Sequence, residues 1–188
     1  MATIDIGVPA ENYTSSWCDG TLINKSNPAN ASGKITNVQI YTKAIMPTVY
    51  VATFYRPDPS GFPNNLTTRD TEYISDSIAV GYHAFDVDLD VEAGDYIGIM
   101  FQNGDIEKKI GGEQGVWYIN HADWLPCDNK TFYLQAGNAL AIYGTGTIPD
   151  GLVNGYFMNS VPTEQREEVF GYFMKLVEEF GYYMNPTK

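Results

Sequence analysis

Hydrophobic and polar residues alternate most regularly along residues 85–91. The apolar positions are Phe85, Val87, Leu89 and Val91, and the polar positions between them are Asp86, Asp88 and Asp90. This period of two is typical of a strand with one buried face and one solvated face. Residues 96–101 are almost wholly apolar, which indicates a strand buried on both faces. Because only residues 92–95, Glu-Ala-Gly-Asp, separate the two segments, we predict two strands folded back on each other around that turn.

Similar strand-like segments recur along the chain up to residue 143, separated by clusters of Gly, Pro, Asn and Asp. We predict strands at 3–8, 21–24, 34–43, 48–56, 67–75, 82–91, 95–102, 115–119, 131–134 and 139–143. The proline-rich segment 56–63 is predicted to be a loop, because proline cannot donate a backbone hydrogen bond to a sheet. The rhythm favours an all-β fold, and we expect a jelly-roll-like antiparallel β-sandwich over residues 1–147.

The pattern changes after residue 147. We expect a linker at 148–162 and one carboxy-terminal helix at 163–185, with Thr163 as the N-cap and acidic residues in its first turn. Apolar side chains recur on one face of this helix with alternating steps of four and three. This face comprises Val169, Phe170, Phe173, Leu176, Val177 and Phe180. The helix either lies against its own sandwich or docks on another chain. We expect the second arrangement, since such a large apolar face marks a contact site.

Composition narrows the classes of function. The 188 residues include 44% hydrophobic and 14% aromatic residues, as in a globular protein. The net charge of −12 disfavours binding to the phosphate backbone of nucleic acids. No apolar run is long enough to cross a bilayer, so we expect no membrane insertion. The amino terminus lacks the basic and apolar regions of a signal peptide. The two cysteines, Cys18 and Cys127, either remain reduced or form a bridge if the fold brings them together.

No catalytic motif is recognisable, and we expect neither an enzyme nor a bound cofactor. The two histidines, His83 and His121, lie in no metal-binding spacing and near no nucleophile elbow. Asp86, Asp88 and Asp90 share one strand face and are candidate calcium ligands. Their separation along the strand would require further oxygens from other loops, so a solvated acidic face is the alternative interpretation.

Aromatic residues suggest one binding function. Trp117, Tyr118 and Trp124 have His121 and Asn120 between them and could present an aromatic platform to a sugar ring. The alternative is that Trp117 belongs to the core and Trp124 covers a loop. The first interpretation predicts a carbohydrate-binding or host-adhesion module.

Several short segments resemble a known group of proteins. They are IDIGVPA at 4–10, NPANASG at 27–33, VATFY at 51–55, AGDYIG at 93–98, GVWY at 115–118 and IYGTG at 142–146. In this order they resemble β-sandwich proteins of tailed bacteriophages that are generally taken for virion surface components, such as head decoration or tail-associated proteins. The resemblance covers residues 3–147. It implies a non-enzymatic structural protein of the virion, made in the host cytoplasm and without a signal peptide. The expected partners are further copies of this chain in a homotrimer, the major capsid protein or another virion protein, and a glycan.

Overall fold

The computed structural model describes residues 3–148, which form ten strands and, within that range, no helix. The strands are β1 Thr3–Gly7, β2 Ser15–Asn24, β3 Gly33–Ala44, β4 Met46–Tyr55, β5 Asn65–Ile78, β6 Gly81–Val91, β7 Tyr96–Asn120, β8 Lys130–Thr131, β9 Tyr133–Leu140 and β10 Ile142–Thr147. The prediction of an all-β fold is confirmed. The helix predicted at 163–185, its six apolar face residues and the linker beyond Ile148 lie outside the described residues.

The ten strands form one curled, antiparallel sheet. Neighbouring strands follow the order β1, β10, β3, β7, β4, β5, β8, while β6 pairs with β3, and β2 and β9 pair with β7. Strands β1 and β10, the first and last of the described residues, pair with each other, with Thr3 opposite Thr147 and Gly7 opposite Tyr143. Consecutive strands are often not neighbours, so most contacts join distant parts of the sequence.

Strand β7 organises this sheet because it reaches four partners. Its first part pairs with β4, with Met100 opposite Tyr50, and its last part pairs with β9, with Tyr118 opposite Tyr133. Leu22 of β2 lies opposite residues of both parts. The sequence predicts two separate strands here, at 95–102 and 115–119, whereas the structure joins them into one strand of 25 residues. The residues between the two segments are mostly polar or glycine, so the apolar pattern of a buried strand is interrupted there. Gly104 (φ +90°) lies so close to the Ile45 carbonyl that no side chain fits at this position.

The predicted hairpin between β6 and β7 is wrong. The turn at 92–95 exists, and the Asp95 amide donates to the Glu92 carbonyl oxygen at 3.0 Å. However, β6 pairs with β3 and the start of β7 pairs with β4. The turn instead carries the chain across the core, and the loop at Ala29 holds it there through two backbone hydrogen bonds of 2.8 Å, to Gly94 and Asp95.

Two hydrophobic clusters lie on opposite faces of the central strands. The main cluster contains residues such as Leu22, Val51 and Val116. The residues that follow them in sequence belong to the second cluster, which comprises Ile23, Ala52, Phe54, Leu66, Trp117, Cys127 and Phe132. Successive side chains of a strand point to opposite faces, so β2, β4 and β7 are buried on both sides. This confirms the prediction drawn from the apolar segment 96–101.

Side chains cover parts of two exposed edges of the sheet, those of β6 and β1. The free edge of β6 donates its Asp88 and Asp90 amides, each at 2.8 Å, to carboxylate oxygens of Glu72 and Asp70 on β5. On β1, the Asp5 amide donates to the Asn30 side-chain oxygen at 3.0 Å. Backbone groups that are satisfied in this way cannot template a further strand.

Candidate functional site

An open groove of about 280 Å³ lies where β2, β7 and β9 meet. We call it the Trp17 groove, and its lining comprises Ser16, Trp17, Cys18, Lys108, Tyr118, Asn120 and Gln135. Tyr118 and Asn120 are two positions apart on β7 and therefore share a face of the strand. Gln135 reaches the same region because β9 runs beside the last part of β7.

Three aromatic rings form a series that begins in this groove with Trp17 and Tyr118 and ends beside it with Tyr133. The ring centroids of Trp17 and Tyr118 are 4.9 Å apart, and those of Tyr118 and Tyr133 are 5.8 Å apart. Trp17 is almost fully buried and its indole Nε1–H donates to the Asn120 side-chain oxygen at 2.9 Å. Tyr133 at the other end is 70% exposed. The series therefore runs from an anchored ring to a solvent-facing ring.

Polar groups surround these rings. The Lys108 ammonium lies 4.9 Å from the Trp17 ring centroid, in cation–π contact. Gln135 and Asn120 add amide groups that can donate and accept hydrogen bonds. Aromatic faces beside a few amide and charged groups suit a ligand with both apolar C–H faces and hydroxyl groups, such as a sugar ring.

The structure separates the three residues predicted to contact a glycan. Trp117 is fully buried in the second cluster, where its Nε1–H donates to the Asn64 side-chain oxygen at 2.9 Å. It has no surface to offer a ligand, because strand alternation turns it away from Tyr118, so its assignment as a glycan contact is wrong. Trp124 lies on the loop after β7, and the Lys130 ammonium sits 3.4 Å from its ring centroid. Of the three, Tyr118 lines the Trp17 groove.

The sequence interpretation does not identify Trp17, which lines the groove, or Tyr133, which lies beside it in contact with Tyr118. Trp17 lies on β2, which begins at Ser15, whereas the predicted strand begins at residue 21. Tyr133 was placed on a strand but not on a binding face. The signal available for Trp17 is the preference of aromatic residues for strands, at a position just before the predicted strand.

A group of three metal-ligating side chains lies at the rim of the groove. It comprises Cys18, Asp19 and His121, whose potential ligand atoms all lie within 4.8 Å of one another. His121 Nδ1 is 2.8 Å from the Asp19 carboxylate, and the His121 amide donates to the Asp19 carbonyl oxygen at 3.2 Å. No sequence motif indicates this group, because the fold joins the start of β2 to the end of β7.

The aspartates of β6 lie elsewhere, on the solvated face that the alternation predicts. The Lys34 ammonium is 3.1 Å from Asp88 Oδ1 and 2.8 Å from Asp90 Oδ1. Its hydrogen bonds to Asp90 and Asp88 raise the pKa of Lys34 above its usual range. Two of the three candidate calcium ligands are therefore already paired with a cation, and Asp86 is exposed beside them.

Both cysteines are free thiols. Cys18 packs against the main cluster and Cys127 belongs to the second cluster, so the sheet separates them. Burial raises the pKa of the Cys127 thiol. Cys18 and Cys127 therefore do not form the disulfide that the sequence leaves open.

Within residues 3–148, no helix has the length and hydropathy needed to cross a membrane. No protein-family model, curated protein or solved structure matches this chain.

Proposed function

We propose that the protein is a non-enzymatic structural protein on the surface of a tailed-phage virion. In this proposal it decorates or stabilises the capsid exterior, or associates with the tail, through protein–protein contacts. The curled sheet would be a variant of the jelly-roll-like sandwich. The carboxy-terminal segment, with the apolar positions predicted on one helix face, would assemble a homotrimer and attach it to the major capsid protein or another virion protein.

The observation that supports this proposal is that side chains cover parts of two sheet edges. A decoration protein is held at high local concentration on its particle, where free strand edges would pair between neighbours. Here the carboxylates of Asp70 and Glu72 accept the edge amides of β6, and Asn30 accepts from β1. The repulsion between chains that carry a net charge of −12 acts in the same direction. The resemblance of residues 3–147 to phage surface proteins adds independent support.

Antibody labelling of intact particles tests this proposal. An antiserum raised against the protein should decorate the outside of purified, DNA-filled virions in electron micrographs. Labelling that appears only after the particles are disrupted, or that is absent from them, would contradict the proposed location. The distribution of label between head and tail would identify the virion part.

The Trp17 groove favours a second candidate function, binding of a host-surface glycan. Tyr118 and Tyr133 would stack against a sugar ring while Asn120 and Gln135 contact its hydroxyl groups. This function is compatible with the first, because a protein on a virion surface can also adhere to a host cell.

Binding to an array of bacterial surface glycans tests the second candidate. Tyr118→Ala and Tyr133→Ala should each weaken a detected interaction roughly two- to tenfold, since aromatic contacts are worth about 0.5–1.5 kcal/mol. Trp124→Ala is the matched control, because Trp124 is partly exposed but lies outside the groove. A loss caused by Trp124→Ala and not by the tyrosine variants would place the glycan on the loop after β7.

A further inference from the structure

We propose that Cys18, Asp19 and His121 form a binding site for a transition-metal ion, with Zn²⁺ as its preferred ligand. The three side chains supply a thiolate, a carboxylate and an imidazole, which are the ligand types of protein zinc sites. The proposal is independent of the virion function and of glycan binding.

An irregularity in β2 brings the first two ligands together. Neighbouring side chains of a regular strand point to opposite faces and would not converge on one ion. Here the pairing with β7 jumps from Cys18 opposite Asp105 to Gly20 opposite Phe101, so Asp19 has no partner in this ladder. A break of this kind re-aims a side chain, as bulges do beside functional sites.

The third ligand, His121, directly follows the end of β7. Gly20 also lies opposite Asn120, so the next residue, His121, is placed beside Asp19. Its backbone has φ +54°, a conformation that is uncommon outside glycine, and its amide donates to the Asp19 carbonyl oxygen. The backbone therefore holds the imidazole against the carboxylate.

The dimensions of the group suit one ion. Zinc lies about 2.0–2.3 Å from its sulfur, nitrogen and oxygen ligands, so two ligand atoms on one zinc are roughly 3–4 Å apart. The separations in the protein are at most 4.8 Å, which small side-chain rotations can close. Asp105, opposite Cys18 on β7, adds a further negative charge near the site. Since the His121 side chain is 72% exposed, a water molecule can complete the tetrahedron.

The same three residue types could serve as a nucleophile relay, but the geometry opposes it. In a relay the imidazole lies between the nucleophile and the carboxylate and separates them by the width of the ring. Here the Cys18 sulfur and an Asp19 carboxylate oxygen are within 4.8 Å of each other as well as of the histidine nitrogen. All three groups converge on one point, as metal ligands do.

Co²⁺ serves as a spectroscopic probe for this site in the full chain. Titration of the reduced protein with Co²⁺ should produce a thiolate-to-cobalt charge-transfer band that saturates at one equivalent and disappears when Zn²⁺ is added. The chain offers a matched control for the cysteine ligand and for the histidine ligand, since it has two cysteines and two histidines. Cys127→Ser and His83→Gln should keep the band, whereas Cys18→Ser should abolish it.

His121→Gln provides the second test, because an exposed side chain can be replaced without disturbing the fold. This variant should keep the far-ultraviolet circular dichroism of the unsubstituted protein and bind Co²⁺ at least tenfold more weakly. The proposal is overturned if the unsubstituted protein gives no charge-transfer band, if the band survives in Cys18→Ser, or if His121→Gln binds Co²⁺ with unchanged affinity.

Discussion

Removal of the Asp95 carboxylate should strongly destabilise the protein, because this group secures the turn between β6 and β7. The Asp95 side chain is 4% exposed and accepts two hydrogen bonds from the Arg69 guanidinium and one from the Glu92 amide at 2.8 Å. Arg69, on β5, also stacks on the Tyr55 ring at 4.9 Å. The hydrogen bond to Asp95 raises the pKa of Arg69 further, so the guanidinium is charged at every pH of interest.

The magnitude follows from the burial of this ion pair. Exposed pairs contribute about 0.2–1 kcal/mol, whereas removing one partner of a buried pair is destabilising by about 3–5 kcal/mol. Since the Arg69 side chain remains 21% exposed, water can partly solvate the abandoned charge. We therefore expect Asp95→Ala to lower the free energy of unfolding by about 3 kcal/mol, which is a decrease in Tm of roughly 6–12 °C for a chain of this size.

Urea denaturation of the full chain measures this effect, with Glu92→Ala as the matched control. Glu92 also pairs with Arg69, at 2.9 Å, but its side chain is 64% exposed, so its removal should change stability by less than about 1 kcal/mol. A double variant, Arg69→Met with Asp95→Ala, should recover part of the loss because no charge then remains unpaired. If Asp95→Ala is no more destabilising than Glu92→Ala, the turn is not held by this pair.

Four further predictions concern the packing, the two thiols and the carboxy-terminal segment. Gly98→Ala should lower the free energy of unfolding by about 1–3 kcal/mol in thermal unfolding, because a β-carbon there would lie 2.7 Å from both the Leu22 carbonyl oxygen and the Phe54 ring. Gly137→Asn is the control, because Gly137 faces open space, and equally mild effects of the two substitutions would refute this prediction. A thiol reagent should modify Cys18 quickly and Cys127 slowly in the folded protein. The pKa of the Cys127 thiol is raised in the folded protein. Cys127 should therefore contribute stability that is complete below the unfolded thiol pKa of about 8.5 and is lost as the pH rises further. A Cys127→Ser variant that shows the same loss of stability at alkaline pH would contradict this. The double variant Phe173→Asp with Leu176→Asp should abolish self-association in analytical ultracentrifugation without changing the β-type circular dichroism, and unchanged assembly would exclude the predicted helix face as the contact.

The sequence predicted the local structure well where burial alone determines the pattern. Alternation along residues 85–91 identified the solvated face of β6, because the period of a strand reports which side chains are buried. The apolar segment 96–101 identified a strand covered on both faces, and the two clusters that contain Leu22 and Ile23 explain why.

Pairing and the candidate sites could not be obtained in the same way. A period of two reports the face of a strand but not its neighbour, so the turn at 92–95 was interpreted as a hairpin although it crosses the core. Trp117 and Tyr118 look equivalent in the sequence, yet Trp117 is buried in the second cluster and Tyr118 lines the groove. The pairing register of β7 determines which of the two side chains faces the second cluster. Cys18 and His121 come together only through the position of Gly20 opposite Asn120, a contact between distant segments that no spacing encodes.

Quantitative mass spectrometry of purified virions tests the proposed place of this protein on the virion. We expect the chain to co-purify with DNA-filled phage particles at a fixed ratio to the major capsid protein. Hundreds of copies per particle would identify a capsid decoration protein, and a handful would identify a tail component. Absence of the chain from particles, while it is abundant in the infected cell, would contradict a structural role in the virion.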